Sequence, residues 1–154
     1  MIRPFELPDL TRLHRYRKKG VYLDSISALT RGKLLVPARA VFSPLSEAVG
    51  VFTGMYQSGG SSTPLIAQVS HALGSSVAQM TFITPDQAVE PVGAGALIEY
   101  LIVRLGERKA QTLIADVDED TATFETLRRL SFSIYARQHI WRVGYISRKQ
   151  HTAD

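Results

Sequence analysis

Glu90-Pro91-Val92-Gly93-Ala94-Gly95 runs directly into Ala96-Leu97-Ile98-Glu99-Tyr100-Leu101-Ile102-Val103-Arg104-Leu105, and the fold turns on this stretch. Leu97, Ile98, Leu101, Ile102 and Leu105 recur at the three- and four-residue spacing that gathers apolar side chains on one face of a helix. Glu99, Arg104, Glu107 and Arg108 are left for water. The spacing predicts a helix from about Ala94 to Lys109. Beyond it, Thr112-Leu113-Ile114-Ala115-Asp116-Val117 is too short, and too apolar at its centre, for a surface loop. A buried strand is expected there, parallel to one ending at Ile83 and joined to it by a right-handed crossover.

Upstream, Val49 to Tyr56, Pro64 to His71 and Val77 to Ile83 are strand-like runs separated by Gly59-Gly60-Ser61-Ser62 and Leu73-Gly74-Ser75-Ser76, the pattern of a three-stranded antiparallel meander. Leu65, Ala67 and Val69 alternate with Ile66, Gln68 and Ser70, and Ala78, Met80 and Phe82 with Gln79 and Thr81, so one face of this sheet is expected to be core. At the amino end, Ile2 to Glu6 reads as a first strand. Pro8-Asp9 then starts a helix with Leu10, Leu13 and Tyr16 at helical spacing and Gly20 as its stop. A second short helix is expected from Asp24 through Ile26 and Leu29 to Gly32, ahead of the apolar Leu34-Leu35-Val36. Downstream, Asp118, Glu119 and Asp120 open a helix with Phe124, Leu127 and Leu130 as its buried stripe and Arg128-Arg129 at its end, acid first and base last as the helix dipole favours. A final strand is expected around Phe132 to Val143. The whole reads as an α/β domain over residues 1–147, a mixed sheet in which an antiparallel meander precedes a parallel β-α-β crossover, with helices on both faces. Residues 148–154 read as a mobile tail.

Composition narrows the partners. At 154 residues, 45% hydrophobic and 21% charged, one core suffices. No apolar run approaches the roughly 18 residues that span a bilayer, and Met1-Ile2-Arg3-Pro4-Phe5 lacks the form of a secretory signal, so a cytoplasmic protein without membrane insertion is expected. The chain has no cysteine, and His14, His71, His139 and His151 are scattered without ligand spacing, so no metal site is expected. A net charge of +4 and a pI near 9.6 suit a nucleic-acid or acidic partner. The densest cluster, Arg12, Arg15, Arg17, Lys18 and Lys19, reads instead as the cationic carboxyl end of a helix. No recognition helix or aromatic-basic motif supports nucleic-acid binding specifically.

The order strand, helix, helix, meander, helix, strand, helix, strand resembles the GNAT N-acetyltransferases, most specifically over Glu90 to Trp141. That family carries Gln/Arg-x-x-Gly-x-Gly/Ala between its fourth strand and the next helix, where this chain has Glu90-Pro91-Val92-Gly93-Ala94-Gly95. It also carries Asn-x-x-Ala-x-x-x-Tyr-x-x-x-Gly-Phe after its fifth strand, against which Asp120, Thr123, Leu127, Ser131 and Phe132 align with only the terminal Phe kept. The resemblance implies acetyl-CoA as cofactor, with Phe82, Ile83, Gly93, Ala94, Gly95 and Ala96 as its binding residues. Glycines admit a ligand close to the backbone, and free amides at a helix amino terminus accept a pyrophosphate.

Two departures bear on activity. A carboxylate at Glu90 about 6 Å from a phosphate charge would be repelled by about 2 to 3 kcal/mol at an effective dielectric near 20, on the order of a hundredfold in affinity. Acetyl transfer also needs a proton for the leaving thiolate, and Leu127 stands where many family members place the tyrosine that gives it. Tyr135 and Tyr100 are the candidate substitutes, each weighed against a structural tyrosine, and Asp86 or Glu90 serves as a base only if burial raises its pKa. Two readings follow: an acyltransferase acting on a small-molecule or peptide amine, or a degenerate GNAT-fold binding or assembly subunit without turnover. The sheet separates them. A gap between the strands ending near Ile83 and Val117 leaves room for a pantetheine arm, and a filled gap favours the second reading.

Overall fold

The computed structural model describes residues 1–16, 20–25, 47–59, 63–85 and 91–139. Outside them lie Arg17, Lys18 and Lys19, the expected second helix beyond Ser25, Leu34 to Val36, Asp86, Glu90, the expected last strand beyond His139, and the tail.

The meander forms as its alternation predicts. Strand β3 (Val51–Tyr56) pairs antiparallel with β4 (Leu65–His71), and β4 with β5 (Val77–Thr84). Between Gln68↔Phe82 and Val69↔Met80 the register slips, leaving Thr81 as the extra residue of a bulge. Strand β1 (Ile2–Pro4) pairs with the outer edge of β3. A short 3-10 turn, Leu7–Asp9, and helix α1 (Leu10–Tyr16) follow it. Asp9 is buried and takes a two-pronged ion pair from Arg3, with both N–O distances 2.7 Å, and the Glu6 amide at 3.0 Å.

Both faces of the sheet are core, where the alternation alone predicted one. Phe52, Leu65, Ala67, Val69, Ala78, Met80 and Ile83 pack under helix α2 (Pro91–Gly106), while Met55, Ile66 and Phe82 on the other face meet Phe5 and Leu13. The second face escapes sequence reading because polar residues sit in it, satisfied by one another. Gln68 Nε2 donates to Thr53 Oγ1 at 3.0 Å, and Thr81 Oγ1 donates to the Gln68 carbonyl and Oε1 at 3.1 Å.

Helix α2 starts at Pro91, earlier than the apolar spacing indicated, because proline is pre-set for a first helical position. Leu97 and Leu101 are fully buried, each contributing about 2–3 kcal/mol. After α2 the chain enters β6 (Thr112–Ile114), parallel to Val77–Gln79 of β5 as expected. The strand is not buried: it borders the sheet, and Thr112 and Ile114 are exposed.

Helix α3 (Ala122–Arg129) begins after the acidic run, not within it, because Thr121 is its cap and accepts from the Phe124 amide at 3.3 Å. Leu127 is its buried anchor, with Phe124 and Leu130 half-buried. The helix closes as Phe132 N–H donates to the Leu127 carbonyl at 3.0 Å, with Ser131 left-handed at φ 69°. Residues 132–139 are not a strand, contrary to expectation. No strand runs beside them among the described residues, and side-chain contacts tether them, Arg137 to Glu119 at 2.6 Å and Gln138 to Ser25 at 3.4 Å. No helix among the described residues is long and apolar enough to cross a membrane.

Candidate functional site

One edge of β5 belongs to β4, and the opposite edge is divided. Val77–Gln79 pair with β6, whereas Phe82 and Ile83 pair antiparallel with Tyr22 and Val21 of a two-residue strand, β2 (Val21–Tyr22). The division falls at the Thr81 bulge, and a bulge bends its strand and increases local twist. The sheet therefore forks between the ends of its two parallel strands, the kind of place where α/β folds take ligands.

The chain itself fills the fork. Leu23 N–H donates to the Thr81 carbonyl at 3.0 Å on one side, and on the other the Leu23 carbonyl accepts from the Asp116 amide at 3.0 Å. Gln79 Nε2 adds a bond to the same carbonyl at 2.6 Å. Ser25 closes the end, its N–H donating to Asp116 Oδ2 at 3.0 Å and its hydroxyl at 2.5 Å. Leu23 is 0% exposed among the core residues, and the Tyr22 ring lies 5.4 Å from that of Phe82. Gly20 admits the segment, because a Cβ there would stand 2.5 Å from Phe82 Cζ and 2.9 Å from Thr84 Cβ. Sequence reasoning missed Val21 to Leu23, along with the role of Asp116, whereas Ser25 is helical, as a helix starting from Asp24 requires. The only signal was a three-residue apolar run, Val21-Tyr22-Leu23, after a glycine.

The residues singled out from the sequence scatter around this fork. Phe82 and Ile83 line it but are buried, their backbone edges taken by β4 on one side and β2 on the other. Gly93, Ala94, Gly95 and Ala96 lie in the first turns of α2. With the helix starting at Pro91, the first-turn amides it leaves free are those of Val92 and Gly93, while those of Gly95 and Ala96 are committed to its own ladder. Gly93 has a packing reason as well: a Cβ there would meet Tyr56 Cε1 at 2.5 Å.

Neither tyrosine reaches the fork's interior. Tyr100 lies against Gly54 of β3, two strands and about 10 Å from β5. Burial raises its phenol above the ordinary value, Arg104 opposing this and Glu47 and Glu107 adding to it. Tyr135 is 95% exposed. Leu127, at the family's tyrosine position, is 3% exposed and part of the core. Glu90 and Asp86 lie outside the described residues. As the fork stands, the residues present do not fit a pantetheine arm, because Val21–Leu23 hold the backbone groups of β5 along which such an arm would lie.

The sequence matches no family model and no curated protein. Solved structures share the fold. AAC(6')-Iy in complex with the bisubstrate analogue CoA-S-monomethyl-acetylneamine superposes with a TM-score of 0.60 at 16% identity, over 94% of this chain and 98% of that one. A ribosomal-protein-alanine N-acetyltransferase from Brucella melitensis biovar Abortus 2308 gives 0.59 at 13% identity, over 94% and 99%. Both likenesses span nearly the whole of each chain.

Proposed function

The chain has the GNAT acetyltransferase fold, and on that premise we propose that it works as a binding or assembly subunit without acetyl turnover. One observation carries the reading: the fork where an acyl-CoA arm would lie is bridged by Leu23, bonded to Thr81 on one side and Asp116 on the other. Leu127 offers no proton for a leaving thiolate, and Tyr100 and Tyr135 stand away from the fork's interior, which supports the same conclusion. The proposal takes residues 1–147 as one cytoplasmic domain. Its test is incubation with acetyl-CoA and a panel of small-molecule and peptide primary amines, following release of CoA thiol, beside melting curves with acetyl-CoA. No thiol release and no rise in melting temperature are expected. Ligand at 100 times its Kd would add about 2.7 kcal/mol of stability. A monomer that transfers or hydrolyses acetyl-CoA overturns the proposal.

A second reading is acetyl transfer from acetyl-CoA to a primary amine. The shared fold with an acetyltransferase structure that carries a CoA bisubstrate analogue supports it. In this chain the Val92 and Gly93 amides are the groups suited to a pyrophosphate. The reading requires the fork to be cleared.

A further inference from the structure

We propose that the outer side of helix α1, carrying Arg12, His14 and Arg15, is a docking face for duplex nucleic acid, holding its phosphates without reading its bases. The inference goes beyond the binding-subunit reading and uses a different surface, on the side of the sheet away from α2.

The chain's excess positive charge has one source. Residues 12–19 hold five of its eighteen Lys and Arg side chains, and no Asp or Glu stands between Asp9 and Asp24. The thirteen cations elsewhere are outnumbered by the fourteen acids. Helix α1 turns two of the five outward: Leu13 is buried with Phe5, Met55, Ile66 and Phe82, and Leu10 packs beside it, while Thr11, Arg12, His14 and Arg15 are exposed. Three residues apart, Arg12 and Arg15 share one side of the helix, about 4.5 Å along its axis.

These charges are not neutralised within the protein. Among the described residues no carboxylate lies within ion-pair distance of Arg12 or Arg15. Arg12 Nη1 donates to the neutral Gln57 Oε1 at 2.9 Å, and the acids nearest in sequence, Glu6 and Asp9, are paired with Arg3 at 3.6 and 2.7 Å. The helix dipole accounts for cations in the last turn, His14 and Arg15. It does not account for Arg12, third of the seven residues, or for a stretch without acids.

The chemistry of the face selects among polyanions. Docking on an anionic membrane needs apolar side chains to insert beside the cations, and the described side chains of α1 expose no large hydrophobic one. Leu7, 63% exposed on the preceding turn, stands alone. Those side chains also offer no aromatic ring on which unpaired bases could stack, which favours a duplex over a single strand. Cations against duplex phosphates release counterions and give affinity that is independent of sequence.

The test uses the full chain and two duplexes of unrelated sequence, each made as DNA and as RNA, with binding followed by fluorescence anisotropy from about 50 to 200 mM salt. The DNA and RNA arms distinguish the two sources of the same phosphate chemistry. Both sequences should bind about equally, with affinity falling steeply as salt rises. Arg12→Ala and Arg15→Ala should each reduce the slope of log affinity against log salt on DNA by about 0.9, and weaken both sequences alike. Arg128→Ala with Arg129→Ala, which removes two cations from the end of α3, should leave affinity within about twofold. Arg15→Gln carries the test if Arg12→Ala, which loses the bond to Gln57, does not fold. No duplex binding at low salt, affinity insensitive to salt, or an equal loss from the α3 pair overturns the proposal. So does tighter binding to phosphatidylglycerol vesicles or to polyglutamate than to either duplex. Acetyl transfer by a chain that still binds duplex overturns the non-transferring reading and leaves this face standing, whereas loss of duplex binding alone does the reverse.

Discussion

The Leu23 amide donates to the Thr81 carbonyl at 3.0 Å, so the outer edge of β5 beyond its bulge is paired by the amino-terminal part of the chain and not by β6. Leu23→Ala should destabilise the protein by about 2–4 kcal/mol in urea denaturation, as for other fully buried leucines. Leu101→Ala should cost about as much, yet only Leu23→Ala should also speed exchange at the Asp116 amide. Equal protection of Asp116 in both variants would mean that Leu23 does not hold the fork.

Ser131 stands where the GNAT pattern has glycine, and it keeps the left-handed backbone that glycine would take, at φ 69°. Ser131→Gly should therefore stabilise the end of α3 by about 0.5–1 kcal/mol, removing the cost of a β-carbon in that conformation and outweighing the added freedom of the unfolded chain. Thermal melts would check it, and a lower melting temperature would show that the Ser131 side chain contributes more than its strain costs.

Gly93 and Gly95, two residues apart in α2, point to different neighbours. A Cβ at Gly93 would strike the Tyr56 ring at 2.5 Å, whereas one at Gly95 meets only Leu130 Cδ2 at 3.1 Å. Helix propensity favours alanine at both by about 1 kcal/mol. Gly93→Ala should nonetheless lose about 1–3 kcal/mol and regain much of it in combination with Tyr56→Leu, while Gly95→Ala should be nearly neutral. Equal effects at the two sites would refute the packing explanation.

Asp9 sets an acid limb. Burial works to raise its pKa, but hydrogen bonds from Arg3 and the Glu6 amide, with the charges of Arg3 and Arg12, outweigh it and hold the carboxyl below its ordinary value. A depressed carboxyl stabilises the fold above its unfolded pKa and loses that contribution as pH falls through the folded one. Asp9→Asn should cost about 2–4 kcal/mol at neutral pH, with the deficit shrinking as the wild-type carboxyl protonates. A pH-independent deficit would point to shape and not charge.

Gln68 joins Thr53 and Thr81 beneath the sheet. Gln68→Leu should lose about 1–3 kcal/mol by stranding the buried Thr53 hydroxyl and removing one of the two acceptors of Thr81, while Thr53→Val, Gln68→Leu and Thr81→Val together should lose less than the single change. Additive losses in a mutant cycle would count against coupling of the three.

Elements whose evidence is local were legible in the sequence. The α2 stripe from Leu97 to Leu105 and the meander announce themselves by period, β6 by a short apolar run, and Leu127 reads as core from its spacing. Val21-Tyr22-Leu23 has no period to read, being too short, and its partner is fixed by the space that the Thr81 bulge leaves, which exists only after the sheet has formed. The exposure of Tyr135 is likewise tertiary. It stands on a segment that sequence made a strand and that lacks a neighbouring strand among the described residues.

A bare strand edge invites other molecules to zip onto it. Beyond the bulge, Phe82 and Ile83 would present such an edge, apolar and ready to template a neighbouring chain, if Val21 and Tyr22 did not cover it. The same two residues therefore act as a guard against self-association. Loosening that pairing would bare the apolar edge of β5 to a neighbouring chain.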